Sequence, residues 1–145
     1  MTGGRAGAEG PPAEVLERFA GARVARLATL GSGGEPRVVP VTFAWHRGTA
    51  VWAVDRVKPK RPGRLRRLRD LERDPRVAML VDHYDDDWDR LWWVELRGTA
   101  ATLEGPAAEA ALDALAARYP PYRVDRPPGP VVAVTPSAWA WWSAR

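Results

Sequence analysis

The chain has 145 residues, 46% of them hydrophobic, with 22 basic residues against 18 acidic ones, a formal net charge of +4 and no cysteine. That size fits a single domain with a real core, and that apolar fraction excludes a disordered chain. The missing cysteine excludes a disulfide scaffold, a thiolate metal site, a cysteine nucleophile and a CxxC redox motif. No apolar run approaches the roughly eighteen residues that a membrane-spanning helix needs. The opening MTGGRAGAEGPP has no apolar h-region, so no signal peptide is expected and the expected compartment is the cytoplasm.

In chain order, residues 1–10 are Gly-rich and are expected to be a disordered tail. Residues 11–20 begin with proline and place Val15, Leu16, Phe19 and Ala20 on one face, which predicts a short amphipathic helix. RVARLATL (23–30) predicts a strand, GSGGEP (31–36) a turn and RVVPVTFAW (37–45) a second strand. Pro40 lacks a ladder donor there. After the turn at 46–48, TAVWAVD (49–55) predicts a third strand, with Trp45 and Trp52 placed for a cross-strand pair.

Leu65, Leu68 and Leu71 recur every three residues and predict a helix over 64–73, stopped by Asp74-Pro75. Residues 76–82 predict a fourth strand, 83–89 an acidic loop and 90–104 a long fifth strand, in which Trp92 and Trp93 point to opposite faces. PAAEAALDALAARY (106–119) is the clearest helix, and residues 122–130 read as a loop. VVAVTP (131–136) predicts a last strand, followed by an aromatic tail. Six strands joined mostly by short connections predict a mainly β domain over 11–145, an antiparallel barrel with flanking helices.

The charge is uneven. Residues 56–69 hold eight basic residues and no acidic one, leaving 14 basic against 18 acidic elsewhere. Basic charge confined to one segment at a helix N-terminus suits a discrete anionic ligand better than adhesion along a polyanion. It reads equally as a solvated helix face. A nucleic-acid binder using its tryptophans as stacking platforms is the alternative of a different class, disfavoured by the net acidity of the remaining chain.

The chain lacks a GxSxG elbow, an HExxH pair and a dinucleotide fingerprint. The aspartates of 82–89 lack EF-hand spacing, and no metal site is expected. No catalytic side chain stands out, so an enzyme built on this sequence would rely on a bound cofactor.

The run LATLGSGGEPRVVPVTF (27–43), then VWAVD (51–55), the basic segment and LRRLRDLERDPRVAMLVD (65–82) resemble the pyridoxamine 5′-phosphate oxidase-like split β-barrel family. Within it they resemble the branch that uses the deazaflavin coenzyme F420. YDDDWDRLWWVELRGTA (84–100) and WAWWSA (139–144) resemble one F420-associated subgroup. The resemblance implies a six-stranded antiparallel split β-barrel forming a homodimer, with cofactor sites at the subunit interface. It implies an oxidoreductase moving a hydride between F420, or FMN in the alternative, and a small conjugated substrate. A non-catalytic cofactor carrier is the third reading.

By the same resemblance, Val39, Pro40, Val41 and Thr42 run along the ring, and Ala53, Val54 and Asp55 flank the ribityl chain. Arg66 and Arg67 hold the phosphate, Lys58, Lys60 and Arg61 meet the phosphate or an anionic tail, and Trp141 or Trp142 closes the site from the partner subunit. Two features depart from the family pattern. The chain ends at WWSAR without the Arg/His motif of true pyridoxamine phosphate oxidases, so that reaction is not expected, and Asp70 stands where many relatives carry asparagine.

Overall fold

The computed structural model describes residues 1–55 and 62–145, with the side chains of 62–65 excepted. Lys58, Lys60 and Arg61 lie outside the described residues. The described elements are β1 (Thr2–Ala6), α1 (Ala13–Gly21), β2 (Ala25–Leu30), β3 (Pro36–Val41), β4 (Ala44–His46), β5 (Thr49–Ala53), α2 (Pro62–Arg73), β6 (Arg76–His83), β7 (Trp92–Leu103), α3 (Gly105–Arg118), α4 (Pro120–Val124) and β8 (Val131–Ser143). A single 3-10 turn, Trp88–Arg90, precedes β7.

The strands hydrogen-bond in the order β3-β2-β6-β7-β8-β5-β4, and every pairing is antiparallel. The two ends of that path, β3 and β4, are consecutive halves of one bent strand. Its first half pairs with β2 and its second half with β5. The path therefore closes into a six-member ring, the split barrel expected from the strand pattern. The eight strands of the described residues are these six, one of them broken in two, plus β1.

The barrel interior is the main core. Leu27, Met79, Val81, Val94, Leu96, Val132, Val134 and Trp139 point inward from the strands, and α1 caps them with Val15 and Phe19. Phe19 meets Phe43, Trp45 and Trp139 at ring-centroid distances of 5.1–6.0 Å, in tilted to edge-on geometry. A second, smaller core lies outside the barrel. There the Ala/Leu face of α3 (Ala111, Leu112, Leu115) packs on Ala44, Val51, Val131 and Ala133, the outward residues of β4, β5 and β8. Alternation along β5 explains both cores, since Ala50 and Trp52 go in while Val51 and Ala53 go out to α3.

Four expectations need correction. Residues 2–6 are a strand, not part of a disordered tail: Thr2–Ala6 pairs with Trp139–Ser143 of β8. The glycines serve this pairing, for the Trp141 indole lies where a Cβ at Gly4 would come within 2.5 Å of it. The aromatic tail after residue 136 is the second half of the 13-residue β8. The supposed loop at 122–130 begins inside a helical turn, α4. Finally, Trp45 lies opposite Ala50, not Trp52, and its aromatic partners are Phe19 and Trp139.

A β-bulge divides β8. Arg97 pairs with Ala138 and Gly98 with Pro136, so Ser137 is the extra residue, and its hydroxyl donates to the Arg97 carbonyl at 3.1 Å. Among the described residues, no helix is long and apolar enough to cross a membrane.

Candidate functional site

The break between β3 and β4 leaves Phe43 without ladder partners, and buried backbone groups must be satisfied somewhere. The C-terminus of α3 supplies what is needed. The Phe43 amide donates to the Tyr119 hydroxyl at 3.1 Å, and Arg118 Nη1 donates to the Phe43 carbonyl at 2.8 Å. Arg118 Nη2 also donates to the Ala22 carbonyl, and the Tyr119 hydroxyl lies 2.8 Å from the Arg23 carbonyl. Burial holds the Arg118 guanidinium below its ordinary pKa. These two side chains tie the bend to the segment between α1 and β2.

One turn further, Tyr122 ties the bend to the end of β5. Its hydroxyl donates to Asp55 Oδ2 at 2.5 Å and lies 2.8 Å from Thr42 Oγ1. Burial, followed by the hydrogen bond to Asp55, pushes the Tyr122 pKa up to about 12.

Between these parts lies a cavity of about 380 Å³, within the range of small-molecule sites. Pro40, Val41 and Thr42 form one wall, and Trp52, Ala53, Val54 and Asp55 the other. Tyr119, Pro121 and Tyr122 close the floor, and Arg67 of α2 stands at the side with its guanidinium 5.6 Å from the centroid of the Trp52 ring. Trp52 Nε1 is buried without a hydrogen-bond partner.

Helix α2 is held against the barrel by Asp70, which is only 2% exposed. Its carboxylate pairs with Arg73 at 2.6 Å and with Arg37 of β3 at 3.1 Å. The Arg37 contact is an ion pair out of hydrogen-bond alignment. Asp70 follows Arg67 by three residues, so this clamp fixes the turn that carries Arg67. That gives the departure from asparagine a structural role.

Of the residues singled out from sequence, Pro40, Val41, Thr42, Ala53, Val54, Asp55 and Arg67 line this one cavity. Val39 does not; it points inward and packs against the main core. Arg66 is exposed on α2 and is not a lining residue. Trp141 and Trp142 are also absent from the lining. They sit on β8 opposite Val94 and Trp93, nine residues or more from Val132, the partner of Trp52.

Tyr119, Pro121 and Tyr122 were not expected at the site. Their only sequence signal is a YPPY run (119–122) just past a helix, about 80 residues from the strands they serve. The acidic loop pairs locally instead: Arg90 lies 3.5 Å from Asp85 and Arg145 lies 2.9 Å from Asp89. Among the described residues, no three metal-ligating side chains converge.

The fold's order of strands and the bend at Thr42–Phe43 agree with a sequence match that runs over residues 11–143, almost the whole chain, to the family described as pyridoxamine 5′-phosphate oxidase. The chain belongs to that family. Solved structures with this fold include a conserved hypothetical protein, Rv2991, from Mycobacterium tuberculosis. It is 22% identical with a TM-score of 0.75 over 94% of this chain and 86% of that one. A heme binding protein from Mycobacterium smegmatis is 27% identical with a TM-score of 0.66. The match covers 89% of this chain but spans only about half, 52%, of that one. A FAD-binding protein from Mesorhizobium loti is 18% identical with a TM-score of 0.68 over 99% of both chains. No curated protein matches the chain. Family members thus share this barrel, and the cavity at its seam is the feature by which this member can be read.

Proposed function

We propose that this member of the pyridoxamine 5′-phosphate oxidase family is a homodimeric oxidoreductase that holds coenzyme F420 at the seam cavity. The observation that carries the reading is the cavity itself. Its walls are mainly apolar, Arg67 stands over the buried Trp52 ring at one side, and Asp55 and Thr42 add polar groups. That combination fits a planar ring bearing a hydroxylated chain and a phosphate. When bound, such a ring supplies the two-electron hydride chemistry.

The chain's own residues bind and orient. Pro40, Val41 and Thr42 present strand backbone along one wall, where the pairing with β2 gives out. Arg67, with the basic lead-in that precedes it in sequence and includes Lys58, Lys60 and Arg61, offers positive charge to an anion. F420 carries a polyglutamate tail as well as a phosphate, so a run of eight basic residues favours it over FMN. Positioning of this kind needs no titrating catalytic side chain. A heme reading, prompted by the M. smegmatis neighbour, finds no imidazole here, because neither His46 nor His83 lines the cavity. The substrate in this proposal is a small conjugated electrophile.

Dimerisation is supported by the outer face of the sheet. Val38 is 64% exposed, Trp93 37% and Leu80 37%, and Trp93 lies beside Trp142 across the β7–β8 ladder. Exposed aromatic and aliphatic side chains on a flat sheet face suit a second copy. Trp141 and Trp142 do not line the cavity of their own chain, so the role proposed for them is toward the cavity of a partner. Titration of cofactor fluorescence with purified protein tests the reading. F420 quenching at micromolar protein supports it, whereas micromolar FMN binding without F420 binding replaces the cofactor. Trp93→Glu should convert a dimer to a monomer in sedimentation; an unchanged sedimentation coefficient would move the interface elsewhere.

A further inference from the structure

We propose that the protein has a second ligand site, which takes the carboxylate of a small aromatic acid. It lies in the cleft that α1 and the start of β2 form with the last residues of β6 and the first of β7, and it does not depend on the cofactor reading. The cleft is open and measures about 510 Å³. Arg18 of α1 is half-buried there, with its guanidinium 5.7 Å from the centroid of the Trp92 ring. The His83 imidazole lies against the same indole, with ring centroids 6.1 Å apart and planes 19° from parallel. Arg26 of β2 joins them from the outer face of the sheet, since its neighbours Ala25 and Leu27 are buried inward.

The charges point to an anion. Withdrawing a cation from water is costly unless a partner compensates it. Among the described residues, neither Arg18 nor Arg26 forms an ion pair or a hydrogen bond, although the carboxylates of Glu17 and Asp82 border the same cleft. Resting on the indole offsets part of the cost for Arg18, but it leaves the N–H donors of the guanidinium unspent. Arg23, the third arginine of the cleft, is already used: it donates to the Arg118 carbonyl at 2.9 Å and lies over the Tyr119 ring.

A guanidinium matches a carboxylate with two parallel N–H···O bonds, and one held on a ring is already oriented for them. The small side chains of Ala22 and Val24 leave room for a flat molecule beside the two rings. A chain of many anionic groups would meet Glu17 and Asp82 as well, so a single carboxylate is the group that fits. Val24 also lines the seam cavity, so a ligand in the cleft sits next to whatever the seam holds.

The test is equilibrium dialysis of the full-length protein against 4-nitrobenzoate and its neutral counterpart 4-nitrobenzyl alcohol, each followed by its own absorbance. Wild type should bind the carboxylate about tenfold more tightly, the scale of one hydrogen bond to a charged group. Arg18→Gln should bring the two within about threefold, and Arg18→Lys, which keeps the charge, should keep part of the preference. Arg26→Gln reads the same loss if Arg18→Gln does not fold. Equal binding of the two probes by wild type, or binding of neither up to millimolar concentration, overturns the site. So does full preference retained in a folded Arg18→Gln. Preference lost in Arg67→Ala but kept in Arg18→Gln would seat the carboxylate in the seam cavity, which also overturns it. Titration of F420 fluorescence keeps the two readings apart, since Arg18→Gln should leave F420 affinity unchanged. Equal losses for F420 and 4-nitrobenzoate would assign these arginines to the cofactor's anionic tail and overturn the second site.

Discussion

The two ends of β8 are built on opposite principles. At Val131 the strand meets β5 and the seam, where a neighbouring strand has broken and its backbone groups are passed to Arg118 and Tyr119. At Ser143 it lies between two continuous ladders, β1 and β7, with no backbone group to spare. The seam end has polar groups, a cavity and a cation. The other end offers side chains, Trp93 and Trp142 among them, and a more open cleft beside Trp92. A site for a small ligand needs unsaddled polar groups and a concavity, which a broken strand leaves behind. An unbroken antiparallel sheet offers a flat face, which suits another protein surface. In the proposed reading, one strand thus separates the small-molecule site from the surface that faces a partner.

The bulge at Gly98 connects the two ends, and changing it should have the largest effect. A Cβ there would lie 2.1 Å from the Thr135 carbonyl oxygen, a backbone atom that cannot swing aside. Gly98→Ala should cost about 3 kcal/mol or more, since overpacking against backbone forces the strands apart. Chemical denaturation would measure it. A loss under 1 kcal/mol would show that the two halves of β8 adjust independently.

Next in size is the cation at the seam. Replacing both Arg66 and Arg67 by alanine should weaken cofactor binding by on the order of 3 kcal/mol while the fold persists. The single variants sharpen the point. Arg67 borders the cavity and Arg66 is exposed, so Arg67→Ala should account for nearly all of the loss. Equal effects from the two would mean that the anion lies above α2 and not inside the seam.

Tyr119→Phe comes third. It strips a hydroxyl that accepts from the Phe43 amide and lies within hydrogen-bond distance of two carbonyls, all at the bend. Leaving those groups unsatisfied should cost about 2 kcal/mol, and cofactor affinity should fall with it. Thermal unfolding read together with a binding titration would tell a loosened bend from a bend that simply takes up water.

The barrel was legible from sequence because its physical signal is local. Period-two alternation in 23–30, 76–82 and 90–104 and the Ala/Leu helix at 106–119 need no knowledge of distant contacts, and the strands and helices fall there within a few residues. What stayed hidden depends on partners far along the chain. Residues 2–6 carry glycines where a strand would normally carry side chains, and only the Trp141 ring across the ladder explains them. The Trp45–Trp52 pair assumed a different hairpin register. The two-residue turn at Arg47–Gly48, with both residues at positive φ, pairs His46 with Thr49 and so puts Trp45 opposite Ala50. The two strand walls of the cavity were visible as strand ends. Its floor was not, because Tyr119 and Tyr122 acquire meaning only when α3 lays them under the bend.

The smallest expected effect, and the one that reports most directly on the seam, is a pH dependence. Burial and Asp55 raise the Tyr122 pKa from 10.0 to about 12, so the folded protein keeps a proton that the unfolded chain gives up. A raised folded-state pKa contributes stability that is complete below the unfolded value and is lost as pH climbs through the folded one. Between about pH 10 and pH 12 the protein should therefore lose on the order of 1–2 kcal/mol on account of this group, beyond what its other residues contribute. Tyr122→Phe, which has nothing to ionise, should show a flatter stability curve over the same interval when urea midpoints are compared. Equal slopes for the two proteins would mean that the hydroxyl is reached by solvent and not locked between Thr42 and Asp55. In that case the seam end of β8 would be an open groove, and its contrast with the tryptophan end would rest on shape alone.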